Sequence, residues 1–394
     1  MSGRHFLQIP GPTNIPERIL RAMDRASIDH RGPELPPIVE EIVRRFKEIF
    51  ATTRAEIVIY PTSGTGASEA AIVNTLNPGD RALAFNIGHF SHLYAECARR
   101  HGVAVDELDL PWDRGVSTEM VHERLAHDSG HEYRAVLLVH NESATGVTSD
   151  VSAIRRAIDA ARHPALLLVD AISALGSMDF QFDQWGIDVA IVGSQKGLMM
   201  PPGLGILCVS PRALEVSSRV TSPRYFFDWT MALDQMHQGY FPYTPAVNLL
   251  FGLQESLRIL QEEGLANVIA RHRRLSEGVR RAITSLGLGI LCRRPEEYSN
   301  SVTAVVVPED KDATEVVRAA VTHLDLSLGW GLARLRNKVF RIGHLGALNE
   351  LEVLATIAGV EMACELAGIH VPLGQGVTVC ERYFMEHRTA PITP

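Results

Sequence analysis

The sequence lacks the features that would indicate a membrane, secreted or nucleic-acid-binding protein. None of its apolar runs approaches the ~20 residues needed to span a bilayer, and its N-terminal segment has no apolar signal-peptide core. Its five cysteines form no CxxC pair, which predicts free thiols in a reducing compartment. The net charge of −8 argues against non-specific binding to nucleic acid or to an anionic lipid surface. We therefore expect a cytoplasmic protein without a nucleic-acid or membrane partner.

The residues that are present are typical of a large α/β protein. Hydrophobic residues make up 46% of the chain and charged residues 21%, which is close to the globular average. Continuous apolar runs such as VLLV and ALLLV predict strands covered on both faces, and they alternate with helical periodicity. This alternation predicts a mostly parallel, doubly wound sheet of seven strands covered by helices. The predicted strands are Glu56–Tyr60, Arg81–Phe85, Val103–Leu108, Ala135–Val139, Ala165–Val169, Val189–Val192 and Gly205–Val209, with helices such as Gly66–Leu76, Ser91–Arg100 and Ala153–Arg162 between them.

The pattern changes after about Pro245, where long helices precede a shorter α/β unit. Fewer strands follow, which predicts a smaller C-terminal α/β domain. The predicted elements of this part are Ala246–Glu262, Val268–Leu286, Val302–Val307, Lys338–Ile342 and Asn349–Ala367.

The opening segment contains Pro10, Pro12 and Pro16, and this density of proline argues against regular structure there. We therefore expect it to lie as an extended arm. The predicted division of the chain is an N-terminal arm (1–20), a large cofactor-binding α/β domain (21–245), and connecting helices with a small α/β domain (246–394).

The most informative segment is GSQKG, which contains Lys196 and follows an apolar predicted strand. Apolar surroundings lower the pKa of a lysine, and its neutral amine can then form a Schiff base. A surface lysine in a turn is the competing interpretation, and this segment alone does not separate the two.

A carboxylate, Asp170, ends another strongly apolar run, LLLVD. Ligands of open α/β sheets bind beyond the carboxyl ends of the strands. An acid in that place is a candidate metal ligand, a helix cap, or the partner of a cofactor ring nitrogen. Pyridoxal phosphate needs such a partner, because its ring accepts electrons best when that nitrogen is protonated. The pair of Asp170 and Lys196 is more specific for this cofactor than either residue alone.

A turn with two glycines, TSGTGASE over Thr62–Glu69, lies between a predicted strand and a predicted helix. Backbone N–H groups in such a turn, together with the helix N-terminus, can bind a phosphate. The segment matches neither the GxxxxGK[ST] motif of nucleoside-triphosphate sites nor the GxGxxG motif of dinucleotide sites. A plain strand-to-helix turn stays open as the alternative.

Three further clusters accompany predicted strands. The segment HFSH contains Phe90, which can stack on a flat ring or simply pack in the core. The segment HNESATG contains Asn141 and Thr145 and offers polar side chains at the same sheet edge. Arg341 lies within the apolar run VFRIG, where its planar guanidinium suits either a substrate carboxylate or an internal salt bridge.

These segments together resemble the class V aminotransferases of fold type I, and within them the serine–glyoxylate and alanine–glyoxylate group. The resemblance extends from about Ile9 to Gly376, which is nearly the whole chain. It implies pyridoxal 5′-phosphate as the cofactor and a homodimer whose active site is shared between subunits. The similar segments, in chain order, are PGPTNIPE, DHRGPE, SGTGASEAA, HNESATGVTSD, VDAISALGS, GSQKG, PPGLGI, GYFPYTP and VFRIGHLG.

The resemblance also implies roles for individual residues, and no metal ligand. Lys196 would form the Schiff base and move the substrate's Cα proton, with Asp170 as the partner of the ring nitrogen. Phe90 and Ile172 would pack on opposite faces of the ring, and Arg341 would bind the substrate's α-carboxylate. The other predicted cofactor-binding residues are Gly64, Thr65 and Gln195 at the phosphate, Thr145 near the ring hydroxyl, Ser63 and Asn141, and Tyr243 and Thr244, which would reach the phosphate of the neighbouring subunit.

The function implied is transfer of the amino group of a small L-amino acid, with serine first, to glyoxylate. Aspartate or alanine as donor, and pyruvate as acceptor, are alternatives within the same family. A lyase of the cysteine desulfurase type is a remote alternative, because it needs a nucleophilic cysteine on a mobile loop and the sequence offers no evident one. A non-catalytic cofactor-binding protein is a third hypothesis for the function. The complete set of lysine, aspartate and arginine disfavours it.

Several positions depart from the pattern expected of serine–glyoxylate enzymes. Trp330 stands where a small residue is expected, and it can either narrow the side-chain pocket or pack in the core. Gly32 replaces a serine and Ala171 replaces a glycine. Leu332 stands where pyridoxamine–pyruvate enzymes use a second arginine, which disfavours that substrate. These departures concern the substrate rather than the family.

Overall fold

The computed structural model describes residues 5–388. Within that range, every helix is too short or too polar to cross a membrane. The strands are β1 Phe6–Gln8, β2 Glu56–Tyr60, β3 Arg81–Asn86, β4 Ala104–Asp109, β5 Tyr133–Val139, β6 Asn141–Glu142, β7 Val147–Thr148, β8 Leu166–Asp170, β9 Val189–Gly193, β10 Gly205–Val209, β11 Gly289–Ile290, β12 Val302–Val306, β13 Leu326–Trp330 and β14 Val339–Gly343. The helices are α1 Glu17–Met23, α2 Leu35–Ile49, α3 Gly64–Thr75, α4 His89–Arg100, α5 Thr118–Ala126, α6 Val151–Ala160, α7 Pro211–Ser217, α8 Trp229–Met236, α9 Val247–Glu263, α10 Leu265–Ser285, α11 Ala313–Leu324, α12 Glu350–Leu366 and α13 Gln375–Glu386.

A seven-stranded sheet forms the larger part of the molecule, in the order β2-β10-β9-β8-β5-β3-β4. The neighbours from β9 to β4 pair in parallel, whereas β10 runs antiparallel to both β2 and β9. This confirms the predicted mostly parallel sheet of seven strands with helices around it.

Strand β8 illustrates why these segments form a buried sheet. Alternate side chains of a strand point to opposite faces, so a strand covered on both sides must be apolar throughout. Leu167 and Val169 belong to the core on one face, with residues of α2 and α6. Leu166 and Leu168 belong to the core on the other face, with residues of α3 and α4.

A second sheet has the order β1-β13-β14-β12-β11. Its separate core joins apolar side chains of α10, α11, α12 and α13 to those of β12, β13 and β14. Arg341 lies in β14, opposite Gly329 of β13 and Ala304 of β12. The predicted domain boundary near residue 245 stays a prediction.

The expectation that residues 1–20 lack regular structure is wrong for the part of that segment that the structure describes. Strand β1 pairs in parallel with β13, with Phe6 opposite Leu326, so it belongs to the second sheet. Helix α1 begins at Glu17. The prolines lie outside both elements: β1 ends before Pro10, and Pro16 is the N-cap of α1, where a missing backbone N–H removes no helical hydrogen bond.

The sheet order brings the polar segments of the sequence to one edge. Gly205 of β10 lies opposite both Tyr60, at the end of β2, and Gly193, at the end of β9. Strands β8 and β9 are direct neighbours, so the residues that follow them are also close. The turn after β2, Asp170 and the GSQKG segment therefore meet at the carboxyl edge, where ligands of open α/β sheets bind.

Candidate active site

Lys196 lies in the tight turn that follows β9, and its side chain is held by the N-terminal segment. Its Nζ donates to the carbonyl oxygen of Pro10 at 2.6 Å. Thr13 fixes the same turn, because its backbone N–H donates to the carbonyl of Gln195 at 3.2 Å and its Oγ1 to the carbonyl of Lys196 at 3.3 Å. Burial, together with the positive charge of Arg341, lowers the pKa of Lys196 to about 8. An appreciable fraction of the amine is therefore neutral near pH 8 and can act as a nucleophile or base.

Asp170 is the last residue of β8 and is almost completely buried. Its Oδ1 accepts the backbone N–H of Ile172 at 2.9 Å. Burial, with a smaller contribution from the charge of Glu142, raises the pKa of Asp170 to about 7, against the opposing effects of the Ile172 N–H and of the charge of Lys196. A second cation beside this carboxylate would stabilise its ionised form, which is what a protonated ring nitrogen would provide.

A cavity of about 140 Å³ joins these two residues. It is lined on several sides by side chains that the sequence identified, including Phe90 of α4 and Ile172 after β8. The complete lining is Ser63, Gly64, Thr65, Phe90, Asn141, Ser143, Asp170, Ile172, Ser173, Gln195 and Lys196.

The N-terminus of α3 forms one end of this cavity. Ser63 is the N-cap, and its Oγ accepts the backbone N–H of Gly66 at 3.3 Å. The N–H groups of the first turn have no partner within the helix and carry a partial positive charge, which suits an anion. A Cβ atom on Gly64 would lie 2.7 Å from Cδ1 of Ile172, so a larger residue would close the cavity.

Two polar atoms in the cavity wall are buried without a hydrogen-bond partner in the described chain, Oδ1 of Asn141 and Oε1 of Gln195. An unpartnered buried polar group is costly, and a bound ligand can remove that cost. The other end of the Asn141 amide is fixed, because its Nδ2 donates to Oγ of Ser173 and to Oγ of Ser301, both at 2.8 Å. The wall therefore presents two unpartnered acceptor oxygens to a ligand, and the Asn141 amide is held in place.

A second cavity, of about 300 Å³, adjoins the first and shares Phe90, Ser143 and Lys196 with it. Arg341 lies in its wall and is mostly buried. The guanidinium donates from Nε to the carbonyl of Trp330 at 2.9 Å and from Nη1 to the carbonyl of Ser143 at 2.7 Å.

The internal salt bridge that competed for Arg341 is not formed. Among residues 5–388, no carboxylate lies within ion-pair distance of its guanidinium. Burial lowers the pKa of Arg341 to about 10, against the opposing charge of the more distant Glu142. A buried guanidinium that no carboxylate contacts directly, beside a reactive amine, is suited to bind a substrate carboxylate.

Three predicted cofactor residues lie outside both cavities. Thr145 is fully buried, and its Oγ1 donates to the carbonyl of Glu142 at 3.3 Å. Tyr243 Oη lies 2.8 Å from the carbonyl oxygens of Tyr225 and Phe226, and Thr244 is exposed beside it. The roles proposed for these residues, like those of the cavity-lining set, stay predictions.

Several residues of the site were not singled out from the sequence. Ser143 and Ser173 line the first cavity, and Ser143 Oγ donates to Ser173 Oγ at 2.7 Å. The HNESATG segment pointed to Ser143, but Ser173 carried no signal beyond its closeness to Asp170. Pro10 could not be identified as the acceptor of Lys196, because that contact joins segments far apart in the chain.

A buried amine and a buried carboxylate beside an anion cradle have the chemistry of an enzyme that uses pyridoxal phosphate. The family model for aminotransferase class-V matches residues 5–322, so the chain belongs to the class V aminotransferases. As in that family, its cofactor is pyridoxal phosphate.

Individual relatives match over the full length. The chain is 46% identical over 393 residues to a serine–glyoxylate aminotransferase of Arabidopsis thaliana, with 100% of this chain and 98% of the relative covered. It is also 46% identical over 391 residues to an L-aspartate–glyoxylate aminotransferase of Paracoccus denitrificans, covering 99% and 98%. The crystal structure of an alanine–glyoxylate aminotransferase from Nostoc sp. matches with a TM-score of 0.87 at 28% identity, covering 92% of this chain and 96% of that chain.

The residues present fit this cofactor. The N-terminus of α3, with Thr65 and Gln195, would hold the phosphate. Asp170 would face the ring nitrogen and Lys196 would bind the cofactor covalently. The unpartnered Gln195 and Asn141 atoms would then have a ligand beside them. Within residues 5–388, which include all five cysteines, no cysteine lines either cavity, and this disfavours desulfurase chemistry.

Proposed function

We propose that this aminotransferase moves the amino group of a small L-amino acid, with L-serine as first choice, to glyoxylate. The products would be glycine and, from serine, hydroxypyruvate. The observation that carries the proposal is the second cavity, which both Arg341 and Lys196 line. An α-amino acid bound through its carboxylate at Arg341 would then present its Cα to Lys196.

Pyridoxal phosphate supplies an electron sink when bound, so that a proton can leave the substrate's Cα. Proton transfer and substrate orientation would come from residues of the chain. Lys196 would take that proton from Cα and deliver it to the bound cofactor, and a pKa of about 8 suits an amine that must both accept and donate a proton. Asp170 would keep the ring nitrogen protonated, and Arg341 would orient the substrate carboxylate.

The composition of the second cavity supports serine over aspartate. Among its described lining residues, Arg341 is the only arginine, so this subunit offers no second guanidinium for a side-chain carboxylate. Burying an unpaired carboxylate is costly, whereas a hydroxyl needs only a hydrogen-bond partner. Ser143 and Ser327 line the cavity and can provide one. The Arabidopsis relative supports serine, and the Paracoccus relative keeps aspartate as the alternative.

Steady-state formation of glycine from glyoxylate tests the choice of donor. L-Serine, L-alanine and L-aspartate are compared as donors at equal concentration with the cofactor-loaded protein. We expect the highest kcat/KM with serine, and hydroxypyruvate equimolar with glycine. A higher kcat/KM with aspartate would keep the reaction class and overturn the donor. If none of the three donors yields glycine, the use of glyoxylate as acceptor is overturned.

Trp330 is expected to restrict the size of the donor's side chain. It lines the second cavity, and its carbonyl holds Arg341 through a backbone contact that a substitution of the side chain retains. Replacement by alanine, Trp330→Ala, removes an indole from the cavity wall, and a pocket discriminates by ~1–3 kcal/mol per methylene. We expect the ratio of kcat/KM for serine over methionine to fall at least about 10-fold.

The conservative variant Trp330→Phe keeps an aromatic wall and serves as the control. Its donor preference should stay close to that of the unaltered protein. An unchanged ratio in Trp330→Ala would mean that the indole, which is 45% exposed, lies outside the path of the substrate's side chain.

We also infer a homodimer with a shared active site, and a cytoplasmic location. Tyr243 stacks on Phe226 at 4.8 Å, and the adjacent Tyr225 is 73% exposed. An exposed aromatic cluster of this kind supports contact with a second subunit. Thr244 lies beside the cluster and would accompany Tyr243 across that contact. The five free cysteines support a reducing compartment.

A further inference from the structure

A second carboxylate, Glu142, is completely buried next to the active site and takes no part in the roles assigned above. It follows Asn141 in the chain and lies at the N-terminus of α4, the helix that carries Phe90. Its Oε1 accepts the backbone N–H of Phe90 at 3.2 Å, and its Oε2 accepts that of Ser91 at 2.8 Å. These N–H groups belong to the first turn of α4 and have no acceptor within the helix.

Gly88 explains why a distant glutamate performs this capping. The N-cap of a helix usually supplies its own side-chain acceptor, but Gly88 is the N-cap of α4 and has none. A Cβ atom on Gly88 would lie 2.2 Å from Cγ and 2.3 Å from Cδ of Glu142. The φ of Gly88 is 170°, which any residue adopts, so the close approach of Glu142 is what excludes a side chain here.

The same carboxylate also contacts the peptide group that holds Arg341. Glu142 Oε1 accepts the backbone N–H of Ala144 at 3.0 Å. That N–H and the carbonyl of Ser143 belong to one peptide group, and the carbonyl accepts from Nη1 of Arg341 at 2.7 Å. A negative charge on the N–H side polarises the peptide, which makes the carbonyl a better acceptor for the guanidinium.

We propose that Glu142 is a positioning residue that fixes Phe90 in the cofactor cavity and, through the Ser143–Ala144 peptide, fixes Arg341 in the substrate cavity. The assignment rests on the proposed function for the roles of Phe90 and Arg341. Glu142 itself lines neither cavity. It acts on two sites at once because its two oxygens bind both the α4 N-terminus and the HNESATG turn.

The variant Glu142→Gln tests this role, because an amide keeps the volume but replaces one acceptor oxygen with a donor. In the cofactor-free protein we expect faster amide hydrogen exchange across residues 88–94. In the loaded protein we expect about 10-fold weaker pyridoxal phosphate affinity and about 10-fold higher KM for L-serine, with a smaller change in kcat. Gly88→Ala should reproduce these changes, since its Cβ would displace the carboxylate.

The chain contains a matched control. Glu361 is also buried, and its carboxylate accepts the backbone N–H groups of Gly374, Gly376 and Val377 at the N-terminus of α13. Glu361→Gln should lower the melting temperature without changing cofactor affinity or KM. Gly130→Ala, whose Cβ would meet no atom closer than 3.6 Å, is the control for Gly88→Ala.

Unchanged exchange across residues 88–94 in Glu142→Gln would overturn the proposal. So would faster exchange with unaltered cofactor affinity and KM. The exchange measurement needs neither cofactor nor substrate, so it also separates this proposal from the proposed function. If serine and glyoxylate are not the substrates, the unaltered protein fails to make glycine while the exchange difference between Glu142→Gln and Glu361→Gln persists.

Discussion

Replacing Lys196 with alanine is expected to abolish turnover and to remove the visible absorbance of the covalently bound cofactor. The variant loses both the amine that binds the cofactor and the base that moves the Cα proton. Removing a positioned base alone costs roughly 10²–10⁴-fold in rate, so we expect kcat to fall by about 10⁴-fold or more. The measurements are glycine formation from serine and glyoxylate, and the absorbance spectrum after loading with pyridoxal phosphate.

The exposed Lys338 provides the matched control for this substitution. Lys338→Ala removes a lysine of the same size and should keep both activity and spectrum. Multiple turnover in Lys196→Ala, at a rate near that of Lys338→Ala, would contradict the assignment of the catalytic lysine.

Replacing Asp170 with asparagine is expected to lower kcat by roughly 10³-fold, because the ring nitrogen loses the buried charge that keeps it protonated. The amide oxygen of the new side chain can still accept the N–H of Ile172, so the turn after β8 should be preserved. The circular dichroism spectrum of the variant checks the fold. Activity within 10-fold of the unaltered protein would contradict the role of Asp170.

The same variant should be more stable than the unaltered protein when both are free of cofactor. The pKa of Asp170 rises from 3.8 in an unfolded chain to about 7 in the fold, so its ionisation destabilises the folded state increasingly from about pH 4 to pH 7 and fully above that. This penalty decreases as the pH falls from 8 towards 4, because the folded protein then holds the proton more strongly than the unfolded chain.

One pKa unit corresponds to about 1.4 kcal/mol, and the new amide keeps a burial cost of its own, which offsets part of the gain. We therefore expect Asp170→Asn to raise the free energy of unfolding by about 2 kcal/mol at pH 8, and by less at pH 5. Urea unfolding at the two pH values measures the difference. A variant that is less stable at pH 8 would mean that burial of Asp170 does not destabilise its charge.

The central sheet and the pair of Lys196 and Asp170 were predictable because they depend on local patterns. Apolar runs covered on both faces define β8 and β9, and neighbouring parallel strands bring the residues that follow them together. The pairing of β1 with β13 was not predictable, because it joins segments far apart in the chain and the prolines near β1 suggested an irregular arm.

Contacts made through backbone groups could not be predicted from the sequence either. The partners of Arg341 are two carbonyl oxygens, and the partners of Glu142 are backbone N–H groups, so neither contact depends on the type of the partner residue. In the sequence, Glu142 is one polar residue among several in the HNESATG segment. Only its complete burial distinguishes it from a solvated glutamate.

The most direct test of the account is a half-reaction followed by absorbance. Cofactor-loaded protein is mixed with L-serine and no keto acid, and glyoxylate is added afterwards. We expect serine to convert the visible band to a near-ultraviolet band, and glyoxylate to restore the visible band with formation of one glycine per site. A visible band that L-serine leaves unchanged would contradict this reaction, and so would release of sulfide when L-cysteine replaces L-serine.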